Sequence, residues 1–231
     1  TGVARDPDTL VLVVAGDVGL NRSNQRVDPR GILEGSDVLP WAMMTAGIAP
    51  LVRGDVNFMN LETVVTDRND LAPGDKGQDE PFLFRSHPAG VRHLAELGFN
   101  LVSAANNHAY DYGAQGVRET VAHLGALRDA GLLRYAGIGL DREQASRPAL
   151  LDIAGVRVAL SAIGNVTNMN SAHRAGEHKP GTMGYRHDDD WRLVTDRLAA
   201  TDADLRVLSI HYGLERDIRV DDRQLREYRF A

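Results

Sequence analysis

Asp17, Glu62, Asn107 and His211 each stand at the end of a short apolar run. The runs are Thr9–Ala15 before Gly16-Asp17, Val56–Leu61 before Glu62, Asn100–Ala104 before Ala105-Asn106-Asn107-His108, and Leu205–Ile210 before His211. Singly, each has an ordinary reading as a turn residue, helix cap or strand-end histidine. Together, at one predicted sheet edge, they form a ligand set. Carboxylate, amide oxygen and imidazole are hard to borderline donors that suit Mn, Fe, Zn or Mg. The two oxygens of Glu62 can bridge two ions about 3.5–4 Å apart, an arrangement that lowers the pKa of a bound water. His108, adjacent to Asn107, is placed to donate a proton to a leaving group.

The elements that must position these residues follow from the same pattern. Beyond the four runs, Ala149–Ile153 and Val156–Ile163 read as a hairpin turning at Ala154-Gly155. Helical patterns lie at about Pro40–Val52, Ala89–Leu97, Ala114–Ala130 and Asp189–Ala200, with Pro88 beside Ser86 as a start signal and Gly131 as a stop. Apolar strands alternating with helices predict an α/β protein with a mostly parallel sheet covered on both faces. In such sheets chemistry collects beyond the carboxyl ends of the strands. The polar stretches Thr66–Glu80 and Asn165–Arg186 read as long binding loops or disorder. No composition shift marks a linker, so residues 1–231 are expected to form one domain.

Composition excludes several function classes. The 231 residues hold 26 Lys and Arg against 32 Asp and Glu, a formal charge of −6 with no basic block, which argues against nucleic acid and anionic lipid as partners. The chain has no cysteine, which removes disulfides, thiolate metal sites, iron–sulfur clusters and a cysteine nucleophile. The longest apolar stretch, Leu10 to Ala15, is far short of the roughly 20 residues of a membrane helix. No leader-like segment is visible; this favours the cytoplasm over export with a removed leader.

Gly16-Asp17-Val18-Gly19-Leu20-Asn21-Arg22 resembles the opening motif of the poly-γ-glutamate capsule-synthesis (CapA-type) proteins, within the calcineurin-like metallophosphoesterase fold. Asn60-Leu61-Glu62-Thr63 resembles the second motif of that family. Ala105-Asn106-Asn107-His108 with Asp111-Tyr112-Gly113 resembles the third, and Ser209-Ile210-His211-Tyr212-Gly213 with Glu215 the fourth. The resemblance implies an α/β/β/α sandwich with a dinuclear metal site at the carboxyl ends of the strands. It makes Asp17 a first-site ligand, Glu62 a shared ligand, and Asn107 and His211 second-site ligands. It places His108, Arg22 and Asp111 on the catalytic side, with His108 as general acid or oxyanion stabiliser and Arg22 meeting an anionic group of the substrate. Gly19 stands where the wider superfamily has a histidine. The family's last motif, a Gly-His-His-Pro-His run, is expected beyond Ala231 with two further histidine ligands.

The implied activity is a metal-dependent hydrolase acting on a peptide-like or poly-γ-glutamate-type substrate. Two alternatives stay open: a peptide epimerase that removes a Cα proton, and a non-catalytic subunit supporting polymer synthesis or export. Other features carry less. Gly137-Ile138-Gly139 lacks the third glycine of a dinucleotide site. Arg53-Gly54-Asp55 reads as chance, and Asn21-Arg22-Ser23 and Asn165-Val166-Thr167 match a glycosylation sequon. Trp41, Met43 and Met44 read as core, His173, His178 and Lys179 as a solvated loop, and no serine sits in a nucleophile elbow.

Overall fold

The structure, a computed structural model, describes residues 9–77, 79–164, 172–213, 219–220, 222 and 224–226. Strand β1 (Leu12–Val18) opens the chain, and a hairpin of β2 (Gly31–Glu34) and β3 (Asp37–Pro40) leads into the short helix α1 (Trp41–Met44). Strand β4 (Val56–Leu61) is followed by β5 (Val64–Val65), β6 (Arg85–Ser86), helix α2 (Pro88–Leu97), β7 (Leu101–Ser103) and helix α3 (Gly113–Asp129). Then come β8 (Arg134–Ala136), β9 (Ile138–Gly139), α4 (Arg142–Ala145), β10 (Ala149–Ile153), β11 (Val156–Gly164), β12 (Gly181–Thr182), α5 (Asp188–Ala200) and β13 (Leu205–His211).

The result is a mixed α/β architecture built on two main sheets. One is fully parallel in the order β1-β4-β7-β8; the other, β10-β11-β13, joins an antiparallel hairpin to a parallel pair. Side-chain alternation assigns the faces. Met59 and Leu61 of β4 and Val102 of β7 pack with α2 and α3 through Val91, Leu94, Val117, Val121 and Leu124. Val56 and Phe58 of β4, with Leu101 and Ala136, pack against Val158, Leu160 and Ala162 of the other sheet. On the far face of β11, Ile163 meets Met183 and Val194 of α5.

At the carboxyl end the two sheets approach closely, and small residues make this possible. A Cβ on Gly164 would lie 2.6 Å from the Ala105 carbonyl carbon and oxygen and 2.8 Å from Asn106 N. Gly137, at φ +93°, would likewise meet the Cβ atoms of Ala105 and Ala162 at 2.6 and 2.8 Å.

Several expectations hold and others need correction. The hairpin turns at Ala154 (φ 50°) and Gly155 (φ 76°), the two left-handed residues a right-twisted two-residue hairpin needs. Gly131 (φ 76°) follows the C-cap of α3, and Pro88 is the first residue of α2. The cap of α2 is His87, whose Nδ1 accepts from Ala89 N at 3.1 Å. The helix expected at Pro40–Val52 shrinks to α1 plus a 3-10 turn at Ala49–Leu51. Thr45 Oγ1 turns back onto the Trp41 carbonyl, and Pro50 supplies no N–H. Met43 is 66% exposed, so only Trp41 of that group is fully core. His173 is buried and stacks on Tyr110, whereas a solvated loop was expected there. The three-residue strand β8 and the hairpin β2–β3 carry no apolar run long enough to announce them. Glu215, the Asn165 sequon and residues 227–231 before the expected last motif lie outside the described residues.

The inter-sheet contact can be tested directly. Gly164→Ala must push β11 away from the Ala105–Asn106 backbone, and overpacking of this kind costs about 1–3 kcal/mol. At about 2–4 °C per kcal/mol for a chain of this size, a thermal melt is expected to show a loss of several degrees. An unchanged melting temperature would mean that the sheets are not closed here.

Candidate metal centre

Asp17 lies inside β1 rather than in the loop after it, a correction to the expected strand of Thr9–Ala15. Val14 pairs with Phe58 and Asp17 with Asn60, so three steps along β1 match two along β4. The extra residue is a bulge, and a bulge reverses which face the following side chains occupy. Ala15 and Val18 therefore both pack toward the helices although they are three residues apart. Asp17 is left on the face of Asn60, toward the second sheet. Along β13 Leu205 and Val207 pack toward the first sheet, so His211, six and four residues on by the same period, faces it too. Glu62 follows β4 with the parity of Asn60. The four groups thus meet in the slot between the carboxyl ends of the two sheets.

Their distances are short. His211 Nε2 is 2.7 Å from Asn107 Oδ1 and 3.4 Å from Glu62 Oε1; His211 Nδ1 is 3.5 Å from Asp17 Oδ1. Asp17, Glu62 and His211 each offer a ligand atom within 4.8 Å of the others. Asn60 holds the group together from beneath. Its Nδ2 donates to Asp17 Oδ1 at 2.6 Å and lies 3.0 Å from His211 Nδ1, while its Oδ1 accepts from Asn106 Nδ2 at 3.3 Å. Asn106 also donates to the Leu61 carbonyl and accepts the His108 N–H, the side-chain turn that sets the Asn107-His108 backbone.

The charges oppose one another. Burial, and then the neighbouring charge of Asp17, pushes the Glu62 carboxyl above its ordinary range. Asp17 is held below its own by the hydrogen bond with His211, against burial and with help from Asn60. For His211 burial acts downward, but the Asp17 hydrogen bond and the charges of Glu62 and Asp17 outweigh it and raise the imidazole. Two adjacent carboxylates sharing one imidazole are short of positive charge. A divalent cation fits this donor set: two carboxylates, an imidazole nitrogen and an amide oxygen, with no thiolate in the chain.

His108 stands beside the cluster and is anchored differently. Its Nδ1–H donates to Asp111 Oδ2 at 2.7 Å, which turns Nε2 toward Glu62 Oε1 at 3.9 Å. Asp111 is fully buried and accepts two further bonds, from Lys76 Nζ at 2.5 Å and from Phe84 N at 2.6 Å. Asp111 therefore positions His108 and does not itself face the cluster. Arg22 is not among the groups brought together: its side chain is 80% exposed and lies 4.0 Å from Glu34 of the β2–β3 hairpin.

Sequence reasoning missed Asn60, Asn106 and Lys76 as parts of the site. Asn60 carried a signal, since it is a polar residue on an apolar strand with the parity of Glu62. Lys76 carried none: it belongs to a long polar loop, and only the folded chain brings it to Asp111.

Comparison with known proteins follows this geometry. A protein named as a probable polyglutamine synthesis accessory protein, from Mycobacterium tuberculosis, is 28% identical over 245 aligned positions, covering 91% of this chain and 62% of its own length. The PGA biosynthesis protein CapA of Bacillus subtilis is 25% identical over 94% of this chain and 52% of its own. The capsule biosynthesis protein CapA of Bacillus anthracis is 29% identical over 58% of this chain and 32% of its own. The chain thus spans about three fifths or less of the length of these relatives. The family described as bacterial capsule synthesis protein PGA_cap matches residues 11–231, a stretch that holds Asp17, Glu62, Asn107, His108 and His211, and the chain belongs to that family.

Proposed function

We propose that this chain is a metal-dependent hydrolase of calcineurin-like α/β/β/α architecture, acting on a peptide-like or poly-γ-glutamate-type substrate. One observation carries the reading: Asp17, Glu62 and His211 converge within 4.8 Å, beside a histidine oriented by a buried aspartate. The three successive apolar clusters support the layered architecture. The names of the CapA relatives, given for capsule and PGA biosynthesis, support the polymer context of that substrate class.

Asp17, Glu62, Asn107 and His211 would hold a divalent ion, and a pair of ions is the arrangement that family resemblance implies. A bound ion supplies Lewis acidity and a water of lowered pKa. The chain's own residues do the rest. Asn60 fixes the Asp17 carboxylate, so little side-chain freedom is lost when the ligands engage. Hydrolysis of an amide adds water to the carbonyl carbon and breaks the C–N bond, and the departing nitrogen must gain a proton. His108 Nε2 is the ring nitrogen that can take the proton lost by the attacking water and pass it to that departing nitrogen, because Nδ1 is committed to Asp111. Buried Lys76 and the Phe84 N–H hold the Asp111 carboxylate in place. A second reading, an accessory subunit without turnover, is favoured by the name of the mycobacterial relative.

Metal content separates the two. Asp17→Asn and Glu62→Gln are expected to lower bound divalent metal, measured by mass spectrometry, and to abolish cleavage of poly-γ-glutamate followed by chain length. Full cleavage by metal-stripped protein in chelator would overturn the proposal. Metal bound without shortening favours the accessory reading, while deuterium entering at Cα without shortening identifies an epimerase.

Loading is also expected to depend on pH. Binding displaces protons from Glu62 and His211, both of which hold protons to higher pH than usual. Affinity for Mn²⁺ should therefore rise from pH 6 to pH 8, as read by calorimetric titration; a flat profile would remove His211 from the ligand set.

His108→Ala is expected to keep its metal and lose about 10²–10⁴-fold in turnover. If it loses metal as His211→Ala does, His108 is a ligand instead.

A further inference from the structure

Among the described residues a second group of metal-competent side chains lies away from the slot, on the outer surface of α3. Glu119 and His123 are one helical turn apart on that helix, and Asp67 comes from the loop after β5. One ligand atom from each lies within 4.8 Å of the others. His123 Nε2 and Glu119 Oε2 are 3.7 Å apart, too far for a hydrogen bond. Two ligands at zinc-bond length in tetrahedral geometry are about 3.4 Å apart, so this pair is nearly at the required spacing.

One feature points to a ligand here, and a second orients the group toward it. His123 Nε2 is shut off from solvent and has no hydrogen-bond partner, although the side chain as a whole is 27% exposed. A buried imidazole nitrogen without a partner carries a desolvation cost that a bound cation removes. The Glu119 carboxylate is also oriented: Oε1 accepts from Gln115 Nε2 at 3.0 Å and has Arg68 at 3.8 Å, which leaves Oε2 toward His123. Arg68 is held mainly by Asp70, with Nε and Nη2 each 2.9 Å away, and reaches Glu119 only through Nη1 at 3.8 Å.

We propose that Asp67, Glu119 and His123 form a second divalent-cation site of the zinc class, with water completing the coordination. Imidazole with two carboxylates suits zinc better than calcium or magnesium, which prefer all-oxygen shells. The ion would fasten the loop that starts at Thr66 to α3. That same loop delivers Lys76 to Asp111.

The test is independent of the reading of the slot. Zn²⁺ is added to the Asp17→Asn/His211→Ala protein and counted by native mass spectrometry. One equivalent is expected to remain, to disappear on adding His123→Ala or Glu119→Gln, and to weaken at least tenfold with Asp67→Asn. No zinc in the starting variant, or zinc retained after His123→Ala, overturns the proposal. Loss with His123→Ala but not with either carboxylate variant also overturns it, since that describes adventitious binding to one histidine. Should the starting variant fail to fold, His123→Gln in the unaltered chain must lower the zinc count by one, with circular dichroism unchanged.

Discussion

Two β-sheets ordinarily pack about 10 Å apart because side chains fill the space between them. At the carboxyl end of this molecule that filling is reduced to alanines and glycines, and backbone meets backbone. Gly164 sits against the Ala105–Asn106 peptide, and Gly137 against Ala105 and Ala162. The convergence of the candidate site depends on this approach. It lets His211 of one sheet reach Asn60 and Asp17 of the other, and Asn107 reach His211. A wider gap filled with leucines would make a sound core and separate these side chains.

Closing the slot creates an electrostatic problem that the surrounding residues manage. Two carboxylates within 4.8 Å of one another repel by roughly 3 kcal/mol or more at an effective dielectric near 20. Asn60 donates to one of them, and His211 lies between both. The remaining imbalance shows in opposite shifts of Glu62, raised first by burial, and Asp17, lowered first by its bond with His211. Adjacent residues Asn107 and His108 then divide two tasks. Asn107 turns to His211, while His108 is drawn back by Asp111 and leaves its Nε2 at the margin of the cluster.

The long polar loops contribute order of their own. Lys76 is pinned between Asp111 and the Phe82 carbonyl, and the Asp75 carbonyl meets His173 Nε2 at 3.2 Å. His173 in turn stacks on Tyr110 with ring centroids 4.7 Å apart. Further along, Asp190 is fully buried and accepts from both Arg174 and the Gly184 N–H, which secures residues 174–190 to α5. Loops of this length in compact proteins are functional or disordered. In the described part of these two, buried ion pairs supply the order.

The sequence by itself determined the framework. Short, mostly apolar runs such as Val56–Leu61, alternating with helical patterns, read as strands buried on both faces, and four of them ended in ligand-type residues in family order. The Ala154-Gly155 turn and the Gly131 stop were legible because both depend on local backbone preferences. Only tertiary structure decided which face Asp17 takes. Strict alternation from Ala15 would send it toward the helices, and the bulge opposite β4 reverses that. Only the fold could enlist Lys76, which is 35 residues from Asp111 and has no periodic signal around it. Likewise, nothing local distinguishes Gly164 from any other strand-end glycine. Its role exists only because a second sheet lies 2.6 Å from where its Cβ would be, and a sequence read along one strand holds no information about the sheet across from it.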